Sequence, residues 1–167
     1  MVENKFIKFV ISFGICLVAG YFNSLYALPL LPSYFASLKK PGFLIPDSFF
    51  VPIGLVVYLL MGLTMFFIWK SDTREYHEKQ VCIFLFLSSM VLNIVWFYTF
   101  FGLRSPTLGL MVMILLFAIL ISTMYQAVRV SFGATMLLLP YLVVTFFVAY
   151  MNYAIVNMNP QLPFFQI

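Results

Sequence analysis

The chain has 167 residues, of which 64% are hydrophobic and 8% charged, with a mean hydropathy of +1.07 and a net charge of +4. A soluble domain of this length carries about 25% charged residues, so this chain could not cover a water-facing surface and takes lipid as its solvent. The positive balance does not indicate nucleic-acid binding, because the nine Lys and Arg residues fall at the ends of apolar blocks rather than on a basic face.

Those charges divide the chain into five long uncharged blocks: Phe9–Leu38, Ser48–Trp69, Gln80–Leu103, Ser105–Val128 and Val130–Ile167. Each is long enough to cross the roughly 30 Å hydrocarbon core as a helix. The blocks are continuously apolar rather than alternating, which argues against a β-barrel. The reading is an all-α, single-domain bundle of five transmembrane helices over 1–167. Lys5, Lys8, Lys70, Arg74, Lys79 and Arg129 fall on one side, and Lys39, Lys40 and Arg104 on the other. Six basic residues against three place the N terminus in the cytoplasm and the Lys39 loop outside.

The first helix is expected over Lys5–Ala27. Lys5 and Lys8 precede the apolar run as they would in a secretory signal, but FNSLYALP has no clear small-x-small cleavage site, so the run reads as a membrane helix. Cys16 and Cys82 read as small hydrophobes within spans. Pro29 and Pro32 are expected to end the helix, opening a loop over 28–47 that contains Tyr34, Phe35, Lys39, Lys40, Pro41, Phe43 and Pro46. A proline-stiffened aromatic loop above a membrane helix suggests a lid over a pocket.

The second helix is expected over Ser48–Trp69, capped by Asp47 or Ser48, with Pro52 one turn in. The connector SDTREYHEK has no net charge. It holds His77, the chain's one histidine, which without partner ligands reads as a solvated loop residue. The third helix, Gln80–Phe101, carries Asn93 near its middle. An unpaired amide in hydrocarbon costs several kcal/mol, so Asn93 must face another helix or a ligand. The fourth helix, Thr107–Val128, is nearly featureless. The fifth, Ala134–Asn157, contains Pro140, which removes a backbone donor and bends it. Short connectors imply that consecutive helices are antiparallel neighbours.

No Asp, Glu, His, Lys or Arg lies at mid-membrane depth. Proton-coupled transport, ion conduction and acid–base catalysis usually place such groups there. Asn, Tyr, Ser, Thr and abundant aromatics suit an apolar or flat aromatic ligand instead, held by a few polar anchors.

The order KPGF…P…FFVP…YLLMG, then LNIVW…FFG, then LPYL…MNY resembles the translocator protein family, TspO/MBR or tryptophan-rich sensory proteins. The resemblance covers the first loop and helices two, three and five. It implies a five-helix bundle with a pocket under the first loop. It also implies binding of porphyrins and related tetrapyrroles, sterols or isoquinoline-type drugs, and a homodimer. Carried over by motif, Tyr34, Pro41 and Phe43 belong to the lid, and Pro46, Phe50 and Tyr58 to the second-helix motif. Asn93, Trp96 and Phe97 line the third helix, and Pro140, Tyr141, Phe147 and Asn152 the fifth. The resemblance implies no metal and no catalytic residue here. Where family members usually carry tryptophan, this chain has Phe43, Gly54 and Val144, and Val112 stands for an acidic residue of the fourth helix. Light-dependent porphyrin breakdown in the family is tied to tryptophans at the positions of Gly54 and Val144. The resemblance therefore implies a binding protein or sensor, with transport or porphyrin degradation as alternatives.

Overall fold

The computed structural model describes residues 5–42, 50–73 and 76–162, without the side chains of residues 50 and 51. It contains five long helices: α1 (Lys5–Leu30), α2 (Phe50–Lys70), α3 (Tyr76–Phe97), α4 (Pro106–Val130) and α5 (Phe132–Met158). All five are long and apolar enough to cross a membrane. Their outward faces bear large apolar side chains such as Phe84, Val143 and Ile114, a surface suited to acyl chains rather than water.

Side-chain registers give the packing order. Gly62 of α2 lies against Phe13 of α1, while Gly20 of α1 lies against Tyr58 of α2, so the two helices run antiparallel. The start of α5 meets the end of α2, where Gly133 faces Phe67. The end of α4 meets the start of α3 through Gln126, Arg129 and Glu78. Helices α1 and α3 run in the same direction, Cys16 facing Met90 and Asn23 facing Asn93. The ring order is therefore α1–α2–α5–α4–α3. Helices α2 and α3, expected to be neighbours from their short connector, meet only marginally, because α5 inserts beside α2.

Two helix ends also differ from expectation. Helix α1 does not stop before Pro29: it passes through that proline and continues as a π-helical turn, Leu31–Phe35. A widened turn accommodates the missing N–H of Pro32, and the Ser33 hydroxyl donates to the Pro29 carbonyl at 3.4 Å. Helix also extends to Ser37, so the first ten positions of the expected 28–47 loop are helical, and the SYFASL stretch (Ser33–Leu38), which reads from sequence as a short turn of helix, is helical up to Ser37. Helix α3 begins four residues before Gln80 and ends in a second π-helical turn, Tyr98–Gly102, closed by Leu103 N–H donating to Tyr98 O at 2.8 Å. Phe35 from the first turn rests 6.0 Å, centroid to centroid, from Phe101 of the second.

The core has two parts. Toward the Lys70 end, Cys16, Met61, Ile68, Cys82, Phe86, Leu120 and Leu138 pack together, and both cysteines are free and buried as small hydrophobes. Toward the opposite end, Phe35, Trp96, Phe100, Phe101, Leu116 and Met151 form an aromatic cluster. The bundle does not close where these two parts meet.

Candidate functional site

Between the two cores lies a cavity of about 430 Å³. All five helices contribute. Its wall takes Gly20, Asn23 and Ala27 from α1, Gly54, Val57 and Tyr58 from α2, and Asn93, Trp96 and Phe97 from α3. Met113 and Leu116 come from α4, and Tyr141, Val144, Thr145, Val148 and Met151 from α5. The two π-helical turns add Leu31, Phe35 and Phe101. A π turn re-phases the side chains that follow it, and here both turns bring aromatic rings over the same end of the cavity.

The rings on this wall are ordered by one another. Phe97 stacks on Phe101 at 5.9 Å and 16°, and Trp96 stacks on Phe100 at 5.3 Å and 29°. Trp96 is further fixed from behind. Asn152 is placed to accept from Trp96 Nε1 at 3.2 Å and from Leu110 N at 2.9 Å, and to donate to Pro106 O at 2.9 Å. Asn152 thus ties the third, fourth and fifth helices together one layer outside the cavity.

One polar cluster interrupts the apolar wall. Asn23 Nδ2 donates to Asn93 Oδ1 at 2.7 Å and to the Tyr58 hydroxyl, and that hydroxyl donates to Asn93 Oδ1 at 2.9 Å. Three helices are joined at mid-depth by this triad, which answers the demand that an apolar span places on Asn93. The triad is not saturated: Asn23 Oδ1 is buried without a partner. Nearby, the Tyr141 hydroxyl is buried without a partner among the described residues. Two buried polar atoms therefore belong to residues that line a largely apolar cavity. No group of acidic, His or Cys residues among the described residues could hold a metal ion.

Of the residues singled out in the sequence, Gly54, Tyr58, Asn93, Trp96, Phe97, Tyr141 and Val144 meet on this wall. Asn152 supports it from behind. Pro140 is exposed on the outside of α5, and Phe147 is half-buried off the wall. Tyr34 is buried against a second pocket, and Pro41 is buried beyond it. Phe43, Pro46 and the Phe50 side chain lie outside the described residues, so the first loop, expected to be a lid, is described only up to Gly42. That stretch is anchored: Lys39 N–H donates to Asn159 Oδ1, and Asn159 Nδ2 donates to Lys39 O, both at 3.0 Å. Sequence reasoning did not single out Asn23, Phe35 or Thr145. The signal for Asn23 was the same as for Asn93, an amide inside an apolar run.

Residues 12–158 match the TspO/MBR family. The chain belongs to the TspO/MBR family. It is 31% identical over 158 residues to the tryptophan-rich protein TspO of Chlorobaculum tepidum, covering 95% of this chain and 99% of that one. It is 30% identical to the TspO protein of Archaeoglobus fulgidus over 92% of this chain and 97% of the relative. To the translocator protein of Sus scrofa it is 30% identical, over 83% and 82% of the two chains. This TspO/MBR protein is a multi-pass membrane protein, and its cavity takes a wall element from every span. Only two tryptophans occur in it, and of these Trp96 lines the cavity while Trp69 sits near the far end of α2.

Proposed function

We propose that this protein is a membrane binding protein or sensor for hydrophobic planar ligands, with porphyrins as the leading class and sterols or isoquinoline-type molecules as others. The observation that carries the reading is the cavity itself: about 430 Å³, walled by stacked aromatic rings, with an unsaturated Asn23–Tyr58–Asn93 cluster on one side. Ligand pockets commonly range over about 300–1,000 Å³ and combine an apolar lining with a few fixed polar groups. Stacking on Phe97 and Trp96 favours a flat guest, and Asn23 Oδ1 and the Tyr141 hydroxyl orient it.

Gly54 and Val144, where the family usually carries tryptophan, both line this cavity and leave it without indoles at those positions. This supports binding over porphyrin breakdown. We further place the N terminus in the cytoplasm, from the six-to-three distribution of basic residues, and extend the family's homodimer to this chain.

Trp96 provides the test. In a Trp69→Phe background it is the one indole left, and it sits on the cavity wall. Saturable quenching of its fluorescence by protoporphyrin, relieved by an isoquinoline competitor, is the expected result for protein in micelles. Linear, non-saturating quenching by both sinks the reading. Illumination of the bound porphyrin should leave its absorbance unchanged beyond the protein-free rate, and a flux assay in liposomes should show no ligand-driven transport.

A further inference from the structure

The second pocket, about 370 Å³, is of the opposite character. Ser33, Tyr34, Ser37, Arg104, Asn159 and Gln161 line it together with two leucines, and it is lined by no acidic residue among the described ones. It lies where three spanning segments end. Tyr34 is one residue from the end of the first, Arg104 falls between the third and fourth, and Asn159 follows the fifth. That is the depth of lipid headgroups.

Its polar groups divide into the spent and the unspent. The Ser33 and Ser37 hydroxyls donate to Pro29 O and Tyr34 O, and the Asn159 amide is committed to Lys39 and Ile155. Among the described residues the Tyr34 hydroxyl has no partner, although Tyr34 is only 8% exposed. Arg104 makes no ion pair among the described residues. A buried phenolic O–H and a guanidinium with no ion pair among the described residues share, on one pocket, a single requirement, an oxyanion acceptor.

The backbone adds an independent sign. Arg104 holds φ +50°, the left-handed region that a side chain disfavours and glycine adopts freely. The turn itself, with Arg104 N–H donating to Phe101 O at 3.3 Å, would be served better by glycine. The use of arginine here lies in its side chain. Lys40, whose ammonium stands 4.3 Å from the Phe35 ring centroid, adds positive charge at the same end.

We infer that this pocket binds a phosphate-type oxyanion, supplied by the headgroup of an anionic phospholipid on the Lys39 side, with Arg104 and the Tyr34 hydroxyl as donors. Leu38 and Leu162 on its rim suit the glycerol and first acyl carbons. The inference does not depend on what occupies the central cavity.

The test uses the full chain in detergent, with native mass spectrometry after addition of phosphatidylglycerol or phosphatidylcholine of the same acyl composition. The wild type should retain phosphatidylglycerol about fivefold more than phosphatidylcholine, as expected for charge-assisted hydrogen bonds partly exposed to water. Tyr34→Phe should weaken that preference and Arg104→Gly abolish it. Arg104→Gly relieves the left-handed residue, so its thermal stability without lipid should equal or exceed wild type, which separates binding from folding. Added inorganic phosphate distinguishes the sources: displacement of the lipid assigns the site to the phosphate group alone, and retention assigns it to the whole headgroup. Equal retention of both lipids by the wild type, or a preference that survives in both variants, overturns the inference.

Discussion

Asn23 and Asn93 meet at 2.7 Å across two helices that run in the same direction, and Tyr58 closes the triangle from a third. A single acceptor, Asn93 Oδ1, serves two donors. The arrangement fixes the relative depth of α1, α2 and α3 and leaves Asn23 Oδ1 buried without a partner among the described residues. The same three side chains join the helices and line the cavity wall.

Asn93→Ala removes that acceptor and strands the Tyr58 O–H in an apolar setting, while Asn23 Nδ2 keeps the Tyr58 oxygen as an acceptor. Interhelical hydrogen bonds in membranes average about 0.6 kcal/mol, with a maximum near 1.7, and a stranded buried donor costs about 1–3 kcal/mol. We expect a loss of about 1 kcal/mol in unfolding experiments. A double-mutant cycle with Tyr58→Phe should show clear coupling, because both changes delete the same bond. Additive losses would mean that the bond contributes nothing. Porphyrin affinity should fall in Asn93→Ala as the anchor loosens.

Two glycines on the same wall predict opposite outcomes. A Cβ on Gly20 would stand 2.9 Å from Tyr58 Cδ2, and the Tyr58 ring cannot retreat without losing its hydroxyl bonds. Gly20→Ala should cost about 1–3 kcal/mol by overpacking. A Cβ on Gly54 meets nothing within 4 Å. Gly54→Ala should be neutral or stabilise the helix by up to about 1 kcal/mol, and Gly54→Phe should fold normally while narrowing the cavity and weakening the saturable quenching of Trp96 without adding an indole. Thermal unfolding of the three variants with a binding titration decides the matter.

The five spans were legible because hydrocarbon tolerates no charge, and the nine basic residues mark the ends of the blocks. Asn93 was legible for the same reason: an amide in an apolar run must find a partner. The ring order was not, because a short connector fixes only that two helix ends are close, and side-chain packing then placed α5 against α2. The end of α1 was misjudged because proline was read as a stop, whereas a π turn absorbs the missing donor at Pro32; α3 ends within one residue of the expected Phe101 and was misjudged only at its start. Pro140, read as a site residue, lies within α5 on its exposed side. Asn152, also read as one, is buried behind the wall and is placed to accept from Trp96 Nε1.

Asn152 gives the next expectation. Its amide spans Pro106 O and Leu110 N, which are four residues apart in α4, and also holds Trp96 Nε1. In Asn152→Ala the two α4 groups can pair with each other in the ordinary helical way, so the indole N–H is the group left unsatisfied. The loss should be about 1–3 kcal/mol. In a Trp69→Phe background the Trp96 emission should shift, and its quenching by porphyrin should become weaker or heterogeneous. An emission spectrum identical to the parent would show that Asn152 does not hold the indole.

The Lys39–Asn159 pair makes the last prediction. The side-chain amide of Asn159 acts as a second peptide group, accepting from Lys39 N–H and donating to Lys39 O, both at 3.0 Å. It also donates to Ile155 O at 2.8 Å, which caps the end of α5. This couples the chain leaving the first π turn to the last turn of the bundle, next to the pocket that holds Tyr34 and Arg104. Asn159→Ala deletes both directions, and each hydrogen bond contributes about 1 kcal/mol, or roughly a fivefold change in local opening. Amide exchange at Lys39 and its neighbours should accelerate while the α2 and α4 interiors keep their protection. Asn159→Asp keeps the acceptor for Lys39 N–H but loses the donor to Lys39 O and faces that carbonyl with negative charge. Lys39 exchange in Asn159→Asp should therefore lie between wild type and Asn159→Ala. Equal protection in all three proteins would show that the first loop is held by other contacts.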